Sequence, residues 1–173
     1  MIVKFVSEMK IKIFSKNELD FIERVAAERA DGKTHLKSSR LMCAGRSDGS
    51  DYDKNLEGAF MGVAGEYAIA EHVKGFADFI QRPEGDKHQA DVVCRDSKGQ
   101  TSRISVKTTK YSPPILKLNS KREIKDATHI ANCRYFNDER GKGIEMYWIK
   151  SKEEFLKKMK IKNFGYGDRL CLE

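Results

Sequence analysis

Three residues of types that hold cations and phosphates fall in the middle of the chain. They are Glu66 in "GVAGEYAIAEHV", Asp91 in "ADVV" and Lys107 in "ISVKTT". Two carboxylates and a lysine on one surface would make a compact site for a hard divalent cation beside a phosphate, because such cations take few protein ligands and keep several waters. Taken singly, each has a plainer role: a helical glutamate is usually solvated, an aspartate opening a strand is a turn residue, and a strand lysine guards an edge. The chemistry therefore depends on whether the surrounding elements bring the three together.

Residues 91 to 110, "DVVCRDSKGQTSRISVKTTK", read as two short strands around a turn, with Ile104 and Val106 on one face of the second strand and Ser105 and Lys107 on the other. A three-residue turn of Lys98, Gly99 and Gln100 sets Asp91 opposite Lys107 on a shared face. A two-residue Lys98-Gly99 turn sets Asp91 opposite Val106 and separates the charges. Upstream, "LEGAFMGVAGEYAIAEHVKG" carries the clearest helical pattern, with Phe60, Val63, Ala64, Tyr67 and Ala68 as its apolar stripe and Gly75 placed to stop it. Gly58, Gly62 and Glu66 share one face of that helix. An interior glycine costs roughly 1 kcal/mol against alanine, so the pattern predicts close approach of a sheet or a ligand there.

The remaining elements frame these two. An opening strand in "MIVKFVSEMKIKIF" precedes a helix in "SKNELDFIERVAAERA", with Ser15 as its N-cap, and "AGRSDGSDYDKN" reads as a loop. "THIANCRYF" and "IEMYWIK" read as strands joined by "NDERGKG", and "SKEEFLKKMK" as a helix with Ser151 and Glu154 at capping-box spacing. The order fits a mixed α/β layer, and 173 residues suit a single domain spanning positions 1 to 173.

Composition narrows the partners. With 39% hydrophobic and 34% charged residues the chain can bury a core beneath a solvated surface, and its net charge of +7 favours an anionic partner. Cys43, Cys94, Cys133 and Cys171 form no C-x-x-C pair, which points to reduced thiols, with Cys94 and Cys133 as small core residues. Lys4, Lys10 and Lys12 interrupt any signal-peptide core, and no stretch is apolar enough to span a bilayer. The expected location is cytoplasm, of a cell or of a phage-infected host. His35, His72, His88 and His129 show no metal-ligand spacing. Beyond Lys107, the residues Lys110, Lys117, Lys121, Arg122 and Lys125 face only one acid, Glu123, so a loop there could track a phosphate backbone with Tyr111 stacked on a base. The second basic run, from Lys150 to Lys162, reads as a solvated amphipathic helix.

The ordered set "GVAGEYAIAEHV", "ADVV" and "ISVKTT", followed by two strands running into "WIKSKEEFL", resembles the PD-(D/E)XK nuclease superfamily over roughly residues 56 to 156. The resemblance implies a restriction-endonuclease-like fold, a mixed central sheet flanked by helices. It implies a Mg²⁺-dependent deoxyribonuclease, with Mn²⁺ as a possible substitute, acting on DNA and capable of working as a homodimer. By position, Glu66 resembles the family's helical glutamate, Asp91 its metal-binding aspartate and Lys107 its active-site lysine, while Val106 would offer a backbone carbonyl to the metal. The chain departs from the pattern at Ala90, where proline is usual, and at Ser105, where an acid is usual. Either a carboxylate has been relocated, with Glu66, Glu123 or Asp126 as candidates, or the chain keeps a nuclease fold that binds nucleic acid without cutting it.

Overall fold

Local signals place the first helix. The Ser15 backbone N–H donates to Glu18 Oε2 at 2.7 Å, and the Glu18 N–H donates back to Ser15 Oγ at 3.4 Å, so the expected cap is a reciprocal box. It opens helix α1, Lys16–Leu41, which runs past the predicted end at Ala30. Helix α2, Ser50–Val73, starts six residues earlier than its apolar pattern and takes in half of the predicted loop. Lys12 of strand β1, Lys10–Ile13, bridges both helices through Glu18 and Glu71, each at 2.7 Å. Burial opposes ionisation of Glu18, but hydrogen bonds from Lys12 and Ser15 prevail and hold its carboxyl at about 2.

In the computed structural model the described residues are 9–41, 50–79, 91–95, 99–118, 121–163 and 168–172. For 31–41, 50–55, 117, 122, 123, 162, 163 and 168–172 the description is of the backbone alone. After α2 come β2 (Phe76–Ala77), β3 (Val92–Arg95), β4 (Thr101–Thr109), β5 (Leu116–Leu118), a 3₁₀ turn (Lys121–Ile124), β6 (His129–Asp138), β7 (Gly141–Ser151), α3 (Lys152–Lys158), β8 (Lys160–Asn163) and β9 (Asp168–Leu172). The chain is α/β. A mixed six-stranded sheet has the order β1-β7-β6-β4-β3-β2, in which only β4 and β6 pair in parallel. A second, three-stranded sheet has the order β5-β9-β8.

The two sheets correct the sequence reading of the basic segments. Residues 110 to 125 are not one loop but contain β5 and the 3₁₀ turn, and the run from Lys150 to Lys162 is the end of β7, then α3, then β8. β6 and β7 are also longer than read, because their hairpin closes with only Glu139 and Arg140 between Asp138 and Gly141, the latter at φ +108°. The cap of α3 is as expected: Ser151 Oγ accepts from the Glu154 N–H at 3.1 Å.

Two cores result. Ile22, Val25, Val63, Ala64 and Ile69 of α1 and α2 pack on Val92, Ile104, Cys133 and Ile144, covering one face of the large sheet. Leu116, Leu118, Ile124, Ile130 and Phe155 form the other core, joining β5 and α3 to the opposite face of β6. Both expected core thiols are buried, and burial pushes Cys133 up to about 12. No helix among the described residues is long and apolar enough to cross a membrane.

Candidate active site

Position 91 immediately precedes β3, whose ladder with β4 pairs Val92 with Ile104 and Arg95 with Thr101. Neither predicted register occurs: Arg95 pairs with Thr101, so the register moves by two from the one that would face Asp91 to Lys107. Continued by one residue, it sets Asp91 across from Ser105. Because side chains alternate with period two, a shift of two keeps Asp91 on the face that carries Ser105 and Lys107. The expected common face is therefore observed, through a different pairing.

That pairing gives Ser105 a role. Its hydroxyl donates to Asp91 Oδ2 at 3.3 Å, and the Val106 N–H donates to the same oxygen at 2.6 Å. Asp91 Oδ1 accepts no hydrogen bond among the described residues. Burial raises the Asp91 carboxyl above its ordinary range, outweighing the Val106 N–H, the Lys107 charge, the Ser105 hydroxyl and the Arg29 charge, all of which favour the anion. A glutamate in place of Ser105 would set a second carboxylate against this one, which is tolerable only with a cation between them. Lys107 is half-buried and adds its charge beside Asp91.

Helix α2 meets β4 through Gly65, where a Cβ would run into Thr108 Oγ1 and lie 3.2 Å from Val106 Cγ1. The predicted close approach at Gly58 and Gly62 is not found, since a Cβ at either would meet nothing within 4 Å. Gly75 is not the residue that stops α2 either. Lys74 takes the left-handed conformation at φ +52°, and the Gly75 N–H closes the end by donating to Ala70 O at 2.8 Å. Glu66, beside Gly65, is buried, and both its oxygens accept from Arg29 of α1 at 2.8 Å. Arg29 also donates to Asp78 O at 3.3 Å and stands over the Phe79 ring. Its charge reaches Asp91 as well, so Glu66, Arg29, Asp91 and Lys107 form one electrostatic neighbourhood.

The other predicted residues divide. Lys110 is exposed and ion-paired to Glu57 at 2.8 Å, Tyr111 is 68% exposed, and Lys121 and Lys125 are exposed. The side chains of Lys117, Arg122 and Glu123, and all of His88 and Ala90, lie outside the described residues. Among the described residues there is no cluster of three or more His, Cys, Asp or Glu side chains that could hold a metal. Sequence reasoning missed Arg29, although a signal was present: with Ile22, Val25, Ala26 and Ala30 it occupies the buried stripe of α1, an odd place for an unpaired charge. It also missed Glu145, buried in β7 and held by Arg134 at 2.9 Å and Arg140 at 3.2 Å. A third omission is Asn132, buried in β6, whose side-chain amide donates to Pro114 O at 3.0 Å.

Beyond Lys107 lies a cleft of about 480 Å³, bounded by the end of β4, the connection from Tyr111 to Ile115, and Asn132. Comparison with known proteins finds no matching family model, no matching curated protein and no matching solved structure.

Proposed function

We propose that this chain is a metal-dependent nuclease of restriction-endonuclease-like architecture that hydrolyses phosphodiester bonds of DNA. The observation that carries the reading is the anchored carboxylate of Asp91, with Oδ2 held by the Val106 N–H and the Ser105 hydroxyl, and Lys107 beside it. Oδ1 of this half-buried carboxylate, which accepts no hydrogen bond among the described residues, suits a hard cation, and the Val106 carbonyl, Glu66 and Glu123 are the chain's other candidate ligands. Bound there, Mg²⁺ or Mn²⁺ would polarise the phosphate and lower the pKa of a water. Lys107 stabilises the charge that develops on the phosphate oxygens. The net charge of +7 draws a polyanion toward the site.

A second reading, a protein of the same fold that binds nucleic acid without cleaving it, is favoured by one observation: Arg29 occupies both oxygens of Glu66. Incubation with supercoiled, linear duplex and single-stranded DNA in Mg²⁺, Mn²⁺ or EDTA separates the two. Cleavage that needs the metal and is lost in Lys107→Ala supports the nuclease. Binding without cleavage in every metal supports the alternative.

A further inference from the structure

We propose that the cleft beyond Lys107 takes an unstacked nucleobase, so that the substrate class is DNA with a single-stranded segment at the reacting phosphate. This deepens the nuclease reading and rests on it for the word "reacting" alone. At about 480 Å³ the cleft falls within the size range of sites for small organic ligands. Tyr111, Pro113 and Ile115 supply apolar walls, and Thr109, Ser112 and Lys107 supply polar groups. That combination suits a flat aromatic ring joined to a phosphate.

Two features make the cleft pre-formed. The buried Asn132 ties the connection to β6 through Pro114 O, and the buried Leu116 anchors the far end in the second core. Two consecutive prolines, Pro113 and Pro114, further restrict the backbone between them. A ligand entering a fixed cleft has little left to order, which favours binding. Tyr111 is the remaining large aromatic there, 68% exposed and engaged in no ring pair among the described residues. Its N–H donates to Thr109 Oγ1 at 3.2 Å, holding the chain in a bend just after β4. Stacking on such a ring tolerates every base.

The same shape discriminates against a duplex. A base inside a double helix must be unpaired and unstacked before it can enter, whereas a base in a single strand, a frayed end or a mismatch enters at little cost. Lys107, in the lining of the cleft, gives the entry the positive charge that a phosphate backbone requires.

The test is binding in EDTA, so that neither metal nor cleavage is needed, with a 12-nucleotide strand carrying 2-aminopurine at its centre, alone and as a duplex. The single strand is expected to bind about tenfold more tightly, with its fluorescence quenched on binding, and Tyr111→Ala is expected to remove most of that preference while Tyr111→Phe retains it. Equal affinity for both forms, or a silent Tyr111→Ala, overturns the inference. So does a 2-aminopurine nucleoside binding as well as its nucleotide, which would make the cleft a site for neutral aromatic molecules. A protein that cuts DNA but shows no strand preference keeps the nuclease reading and loses this one. A protein inert in every metal that still quenches the single strand does the reverse.

Discussion

Arg29 and Glu66 clasp one another across α1 and α2, with both guanidinium–carboxylate contacts at 2.8 Å, so the charge of a buried helical acid is balanced from the neighbouring helix. Removing one member of such a pair strands the other in a place where water cannot compensate it. Arg29→Ala is expected to cost about 3 kcal/mol, read as a fall in urea midpoint at unchanged slope. A double variant, Arg29→Met with Glu66→Leu, should recover most of that loss. A single variant as stable as wild type would mean that solvent already screens the pair.

Glycines on α2 give opposite expectations by position. At Gly65 a methyl group would press on Thr108 and Val106, both fixed in β4, so Gly65→Ala should destabilise by about 1–3 kcal/mol. At Gly62 the same methyl group meets open space, and Gly62→Ala should stabilise by about 1 kcal/mol through helix propensity. Melting temperatures of the two variants moving in the same direction would contradict this packing.

The pH dependence of Asp91 has a definite sign. Its folded-state pKa is raised from the ordinary 3.8, chiefly by burial, so the stability it contributes is complete below 3.8 and is lost as pH rises through the folded value. Asp91→Asn is neutral throughout and can still accept from the Val106 N–H. In EDTA it should be more stable than wild type at pH 7, with the difference closing as the solution is acidified, as followed by denaturant titrations across pH. Added Mg²⁺ should stabilise the wild type alone.

Under the proposed nuclease reading, Ser105→Glu tests whether a second acidic ligand stands elsewhere in the fold or is lacking. Facing Asp91 across the ladder, the new carboxylate is expected to lower the melting temperature in EDTA and to restore it in Mg²⁺. If cleavage also appears or strengthens in Mg²⁺, the wild-type site lacks a ligand. If wild-type cleavage is already strong and Glu66→Gln or Glu123→Gln abolishes it, the ligand was relocated.

The sequence revealed those parts of the fold that rest on local periodicity. Ser15 and Ser151 marked helix starts because a cap is a short-range hydrogen bond, and the alternation of Ile104 and Val106 with Ser105 and Lys107 gave the faces of β4 correctly. It missed β5 because that strand is short and finds its partner far away, as Leu116 does with Leu172, and it missed β8 and β9, short strands that pair with each other, because the basic run from Lys150 to Lys162 reads as one helix. It assigned the close helix–sheet approach to Gly58 and Gly62 because spacing identifies a shared face but not the rotation that turns Gly65 onto the sheet. It singled out Glu66 and Asp91 but could not see Arg29, which pairs with Glu66 and whose charge also acts on Asp91, since that contact depends on how α1 crosses α2.

The ladder between β5 and β9 ties the rim of the cleft to the order in which the chain assembles. Leu116 and Leu118 line up with Leu172 and Leu170, so the strand that ends the cleft wall gains its ladder only when the final described strand has arrived. During synthesis, the helices and the six-stranded sheet can form first, leaving that wall without its partner. In the finished protein a three-residue strand with one ladder partner has fewer backbone hydrogen bonds than the long central strands, and its amides should exchange with solvent before those of β4, β6 and β7.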